Sequence, residues 1–179
     1  MELERALSGA AAWPLWTNQP IVLYHGTIRR FGESIVRDGV DVARGLPNTD
    51  FGRGFYTTTS CLQARAFADR KSASKNAPAA ITKFTLDRLT LGTLRGLVFL
   101  RGSVDAVDYW SFVAHCRGRR LGALKANSGY DVVYGPVARS WWGPNRSRVY
   151  ANYDQISFHG DKAQELLRDS ILCRIEVIE

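Results

Sequence analysis

Apolar and polar positions fall into two periods along this chain, and the switches between them mark the elements. Ile21-Val22-Leu23-Tyr24 is a compact apolar run of strand type that ends at His25-Gly26-Thr27. A helical stretch near Phe31 to Asp38 follows, with Gly39 as its C-cap, and residues 41–54, rich in Gly, Pro, Asn and Asp, read as a loop. Phe55-Tyr56-Thr57-Thr58 is a short strand, and Ser60 caps a helix that runs through Ala64, Phe67 and Ala68 to about Lys71. Lys71 to Pro78 is a polar loop and Ile81 to Leu86 a strand, while Leu97 to Leu100 is either a strand or a buried segment. Ala106 to Cys116 carries Trp110, Phe112 and Val113 at helical spacing. Asp131 to Tyr134 is a strand ending at Gly135-Pro136, residues 139–148 are an Arg-, Trp- and Gly-rich loop, and Gln155 to Phe158 is a strand. Asp161 to Leu167 is a helix and Cys173 to Ile178 the last strand.

Strands and helices are interspersed without a regular βαβ period and without repeats, so the fold class is α+β. Residues 21–179 form one domain. Residues 1–20 are an N-terminal extension: Leu3 to Ala12 suits a short amphipathic helix, Pro14 and Pro20 break the pattern, and Trp13 and Trp16 fold back onto the body.

Composition narrows the class. The 179 residues suffice for one full core, and no apolar run approaches the roughly 18 residues of a membrane-spanning helix. Met1-Glu2-Leu3-Glu4 lacks the cationic start of a secretory signal, which points to a cytoplasmic location, or a nucleocytoplasmic one in a eukaryote. Three cysteines without CxxC spacing argue against a disulfide framework and a zinc site. The formal net charge of +7 suits either solubility or a polyanionic partner such as a nucleotide, RNA or an acidic protein face. Arg117-Gly118-Arg119-Arg120 is the one dense basic patch.

Familiar catalytic signatures are missing. There is no GxxxxGK[ST] loop, HExxH helix or GxSxG elbow, and the three histidines, His25, His115 and His159, have no metal-ligand spacing, so no metal is expected. Gly52-Arg53-Gly54 has Thr57 where a third glycine belongs, and a strand follows it, which excludes a Rossmann unit. What remains is a polar set at strand edges: His25 beside Gly26, the glycine-softened run Asp50 to Thr57, and Tyr153-Asp154-Gln155 at the start of a late strand. A glycine beside His25 lets a backbone approach a planar ligand closely. Asp50 suits a turn cap or a partner for Arg53, and His159 reads as structural.

In this order the motifs resemble the ADP-ribosyltransferase superfamily, in its diphtheria-toxin-like and poly(ADP-ribose)-polymerase-like branch. More narrowly, LYHGT, DFGRGFYTTTS with Gln63-Ala64 and Phe67-Ala68, YDVVYGPVA, and YDQISFHG with Ala163 and Leu166 look like the domain-of-unknown-function family 3990 over residues 21–168. The resemblance implies a split β-sheet with an NAD⁺ cleft and a His25, Tyr56, Gln155 triad. The backbone of Gly26 would hold the nicotinamide carboxamide, His25 the adenosine-side ribose, and Tyr56 and Phe67 the ring, with Thr27 and Gly54 beside the ligand. The best-known relatives carry Glu where Gln155 stands, whereas the narrower family also has Gln there. Glutamine accepts a hydrogen bond but supplies no charge and no base, so single-unit transfer is expected rather than chain growth. Strand alternation points Asp154 to the opposite face.

The function expected is mono-ADP-ribosylation of a macromolecule, protein or nucleic acid, in a toxin, effector or immunity setting where an inhibitor or antitoxin protein is a further partner. Arg117, Arg119 and Arg120 suit either NAD⁺ phosphates, an acidic target or a solvated turn. Trp141, Trp142, Arg146 and Arg148 interleave stacking and charge in a way that suits a target nucleobase. The rival readings are a non-catalytic NAD⁺ or ADP-ribose-binding module, an NAD⁺ glycohydrolase and, last, a basic RNA-binding protein.

Overall fold

The computed structural model describes residues 19–101, 106–117, 129–140, 148–169, 171 and 173–178. The expectations for Leu3 to Ala12, Trp13, Trp16, Arg119, Arg120, Trp141, Trp142 and Arg146 lie outside the described residues. Among the described residues the order is β1 (Ile21–Ile28), α1 (Arg29–Asp38), β2 (Phe55–Thr57), α2 (Cys61–Lys75), β3 (Ala79–Leu86), α3 (Arg88–Leu91), β4 (Gly96–Val98), α4 (Ala106–Cys116), β5 (Val132–Ser140), β6 (Arg148–Phe158), α5 (Gly160–Arg168) and β7 (Cys173–Ile178). The class is α+β. One sheet has the antiparallel order β1-β3-β7, and the other has β2-β6-β5-β4, with β4 and β5 parallel. None of these helices is long and apolar enough to cross a membrane. All three cysteines are free thiols.

The departures from the expected elements have local causes. β1 does not stop at His25 but stays in register with β3 through Ile28↔Ala79. α2 is capped by the Ser60 hydroxyl, which accepts from Gln63 N–H, and runs one turn past Lys71 until Asn76 enters the left-handed region at φ 46°. Its interior contacts are made by Ala64 and Ala68, both buried, so the polar residues after Lys71 carry no apolar stripe to betray a helix. α3, capped by the Asp87 carboxylate, is too short to show a period. β5 does not end at Gly135-Pro136. Pro136 has no N–H to offer, and the ladder slips at Pro136/Ala138 and Ala138/Ser140 instead of terminating. β6 starts at Arg148, which puts Tyr153-Asp154-Gln155 in mid-strand rather than at a strand start.

Two hydrophobic clusters lie on opposite faces of the second sheet. Between the sheets, Leu23 and Phe84 of the first meet Phe55, Ile156 and Phe158 of the second, with Ala163 and Leu167 of α5. On the other face Phe51 packs with Phe99, Tyr109, Val113 and Val133. Period-two alternation along β6 sends Ile156 and Phe158 to the first cluster, and Gln155 and Ser157 to the face of the second.

Candidate functional site at the parting of the two sheets

Among the described residues, main chain joins the two sheets at one antiparallel bridge, Tyr24↔Thr58, where each residue's N–H bonds the other's carbonyl at 2.8 and 2.9 Å. Beyond it β1 and β2 part. Along an antiparallel strand, the N–H and C=O of alternate residues point to the same side. Gly26 therefore turns both groups away from β3, as Tyr24 does, and toward the gap. The regular register of β1 with β3 and the bond from Arg29 N–H to Pro78 O (2.8 Å) agree with this alternation. One occupant of the Gly26 edge is Lys71, whose Nζ donates to Gly26 O at 2.8 Å. Burial holds the Lys71 ammonium below its usual range.

The glycine is needed for a different reason from the one its sequence context suggests. A Cβ on Gly26 would lie 2.0 Å from the Ala64 carbonyl oxygen and 2.9 Å from Ala68 N. The missing side chain admits the backbone of α2, not a ligand. That contact brings Lys71, one turn after Phe67 on α2, to the Gly26 carbonyl.

His25 bridges the gap. Its Nδ1 lies 2.6 Å from the Tyr56 carbonyl. A carbonyl only accepts, so Nδ1 carries the proton and Nε2 is left as a bare acceptor. The ring stacks on Phe55 at 4.5 Å. Burial, reinforced by the nearby Lys71 charge, pushes its pKa down to about 3 against the opposing pull of the Tyr56 carbonyl. His25 is thus a neutral acceptor at physiological pH, not an acid.

Tyr56 faces the other side of β2. Its hydroxyl donates to Gly52 O (2.7 Å) and accepts from Phe51 N–H (3.0 Å) and the Thr49 hydroxyl (2.8 Å). Gly52 closes that turn at φ +80°. Burial raises the phenol's pKa above its usual value. The ring contacts Phe51 and, edge-on, His159.

Gln155 shares that face, two residues along β6 from Ser157, the partner of Tyr56. It is 7% exposed, and its Nε2 donates to Asp50 Oδ2 and Pro136 O, both at 2.8 Å. The slip in β5 frees those acceptors and donors: Ala138 N–H bonds Asp50 Oδ2 at 2.8 Å. Asp50 is 4% exposed, and its Oδ1 takes Arg117 Nε at 2.9 Å with Nη2 beside it. Asp50 is therefore neither a turn cap nor a partner of Arg53, whose Nη1 goes to Ala43 O. Arg117 is drawn into an ion pair rather than left as a solvated turn.

The structure joins His25 to the main chain of Tyr56 and sets Tyr56 and Gln155 on one face. No hydrogen bond or ring contact between side chains links the three. His25 packs on Phe55, on the opposite face of β2 from the Tyr56 ring. Thr27 is buried against Gly32 of α1. Gly54 is closed in by His159, whose Cε1 would lie 2.6 Å from an added Cβ, so packing fills the space expected for a ligand. Phe67 is half-buried, with Arg70 over its ring at 4.2 Å and Tyr153 at 6.4 Å. Asp154 does point away from Gln155, into the Thr58 and Thr59 hydroxyls and Thr59 N–H. His159 is structural, held by Arg53 O and Ser157 Oγ.

Sequence reasoning passed over Lys71 and undervalued Asp50. Lys71 stands four residues after Phe67, a spacing that shares a helix face. Asp50 offered no local signal, because its partners lie 67 and 105 residues away. No group of three or more metal-ligating side chains occurs among the described residues. Surface concavities lined by Val36, Gly39 and Arg168, or by Thr90, Leu94 and Lys162, contain none of these residues.

No curated protein matches the chain. A family model described as a protein of unknown function, DUF3990, matches residues 21–142, about two-thirds of the chain. The match takes in His25, Gly26, Asp50, Tyr56 and Phe67 and stops before β6 and Gln155. On that match, the chain belongs to the domain-of-unknown-function family 3990.

Proposed function

We propose that this protein is an NAD⁺-dependent mono-ADP-ribosyltransferase whose cleft is the opening between β1 and β2. The observation that carries the reading is the edge of β1 at Gly26, which turns away from β3 past the Tyr24↔Thr58 bridge and is met by Lys71 at the carbonyl. A carboxamide is a planar donor–acceptor pair, and the Gly26 N–H and C=O offer the complementary pair along one strand edge. A carbonyl has two lone pairs, so Lys71 leaves room for a second donor. Two sheets parting at a single bridge suit the split β-sheet of ADP-ribosyltransferases.

The residues then divide the work. Gly26 and Phe67 orient the nicotinamide, and the bare Nε2 of His25 accepts a ribose hydroxyl. Gln155 accepts another through Oε1, without adding charge. The bond between the ribose C1′ and the pyridinium nitrogen breaks with its electron pair going to nitrogen, so neutral nicotinamide departs. A nucleophile on the target supplies the pair for the new bond and loses its proton to solvent. Positioning and oriented dipoles are the means available to this site. Asp50 contributes no base, being tied to Arg117. That same observation favours a second reading, a module that binds NAD⁺ or ADP-ribose without cleaving it.

The test is incubation with labelled NAD⁺ and cell lysate beside a Phe67→Ala control. Label on macromolecules, lost in the control, supports the transferase. Survival of NAD⁺ with thermal stabilisation by it supports the binding module, and loss of NAD⁺ without transfer supports a glycohydrolase.

A further inference from the structure

We propose that Asp50 is a positioning residue that fixes the Gln155 amide with Oε1 as its free acceptor and so excludes glutamate from position 155. The part of this that concerns a ribose hydroxyl rests on the NAD⁺ reading above. The lock itself does not.

Both hydrogens of Gln155 Nε2 are used, one by Asp50 Oδ2 and one by Pro136 O. Turning the amide over would set its oxygen against two acceptors, which strands a buried carboxylate and a buried carbonyl. The orientation is therefore single. Oε1 has no hydrogen bond from the described residues, and it is not among the fully buried unpartnered atoms, of which Thr82 Oγ1 is the one example there. It keeps contact with solvent as a pure acceptor, fit for a hydroxyl donor. Asp50 can hold this post because Ala138 N–H and Arg117 satisfy its remaining lone pairs.

A glutamate at 155 meets the same acceptors without a hydrogen to offer. Its carboxylate would stand within hydrogen-bond distance of Asp50, where two carboxylates share a proton. The other titratable groups around Asp50 are Arg117, Tyr56, Tyr109 and Cys116. Tyr109 donates to Pro136 O at 3.0 Å. Burial raises both phenols, and it pushes the Cys116 thiol up to about 12, so none of them titrates between pH 5 and 8.

The experiment compares the wild type, Gln155→Glu, Asp50→Asn and the double variant by thermal unfolding at pH 5 and pH 8, with NAD⁺ affinity measured alongside. In Gln155→Glu the shared proton raises the folded-state pKa above its unfolded value. Its stability is thus full at low pH and is lost as pH rises. We expect a melting temperature that falls relative to wild type from pH 5 to pH 8, and NAD⁺ affinity at least tenfold weaker at pH 8 than at pH 5. Asp50→Asn in the double variant removes one charge and abolishes both slopes. Folding of Gln155→Glu at pH 5 but not at pH 8 is the same result in stronger form. Equal slopes in the single and double variants overturn the proposal, as does a Gln155→Glu variant unfolded at both pH values and not rescued by Asp50→Asn. If the wild type binds no NAD⁺, the nucleotide reading falls and the unfolding cycle alone decides the lock.

Discussion

Replacing Gly26 with alanine tests the close packing of α2 on β1. The new Cβ would sit 2.0 Å from Ala64 O and 2.9 Å from both Ala64 C and Ala68 N, all of them backbone atoms of α2. No side-chain rotation relieves such a contact. A carbon needs roughly 3.5 Å from a non-bonded neighbour, so the helix has to withdraw by about 1.5 Å. Ala64 and Ala68, 1% and 0% exposed, then lose their seat on β1. Overpacking costs about 1–3 kcal/mol, and the upper end applies where backbone must move. At about 2–4 °C per kcal/mol for a chain of this length, the melting temperature should fall by roughly 6–12 °C. Gly96→Ala is the control, since its Cβ meets only Val132 Cγ1 at 3.6 Å, an ordinary contact on an exposed strand. Thermal unfolding followed by near-ultraviolet circular dichroism reads both. A fall of less than about 2 °C for Gly26→Ala, or an equal fall in both variants, would refute the close approach of α2 to β1.

His25, with its pKa lowered to about 3 from a free value of 6.5, favours the folded state above pH 6.5 and loses that contribution as pH falls toward 3. Urea unfolding should show stability declining from pH 7 to pH 4 by at most about 1.4 kcal/mol per unit for this residue, and His25→Gln should flatten the slope. A residual slope should persist, because burial lowers His159 as well. Lys71, lowered by burial without a carboxylate partner among the described residues, destabilises the fold while charged. Lys71→Met should raise the melting temperature at pH 7, and the gain should shrink as pH rises toward 10.5. Asp154→Ala removes the acceptor for Thr58, Thr59 and the Thr59 amide and should cost about 3 kcal/mol in chemical unfolding.

Elements with a clear period were legible in the sequence. β1, β3, α4, α5 and β7 each begin within a few residues of their expected places, and the Ser60 cap and the Gly39 terminus form as expected. The errors cluster where side chains do not signal the backbone. α2 packs through alanines, and β5 continues past a proline by slipping register. The strands that carry the candidate residues were legible, but how those residues lie relative to one another was not. Period-two alternation separated Asp154 from Gln155 correctly. Nothing local announced that Asp50 would lie behind Gln155, that Gly26 would answer to a helix, or that His159 would close over Gly54, because each depends on chain segments brought together from far apart.

The proposed seat of a carboxamide on the β1 edge at Gly26 can be tested at the Gly26 amide itself. Glycine-selective ¹⁵N labelling, with Gly26 assigned through its Lys71→Met response, allows the amide to be followed during titration with nicotinamide and then NAD⁺. A saturable shift of the Gly26 resonance is expected with both ligands, retained in Gln155→Glu at pH 5. A Gly26 amide that stays still at NAD⁺ concentrations saturating any other response would contradict it.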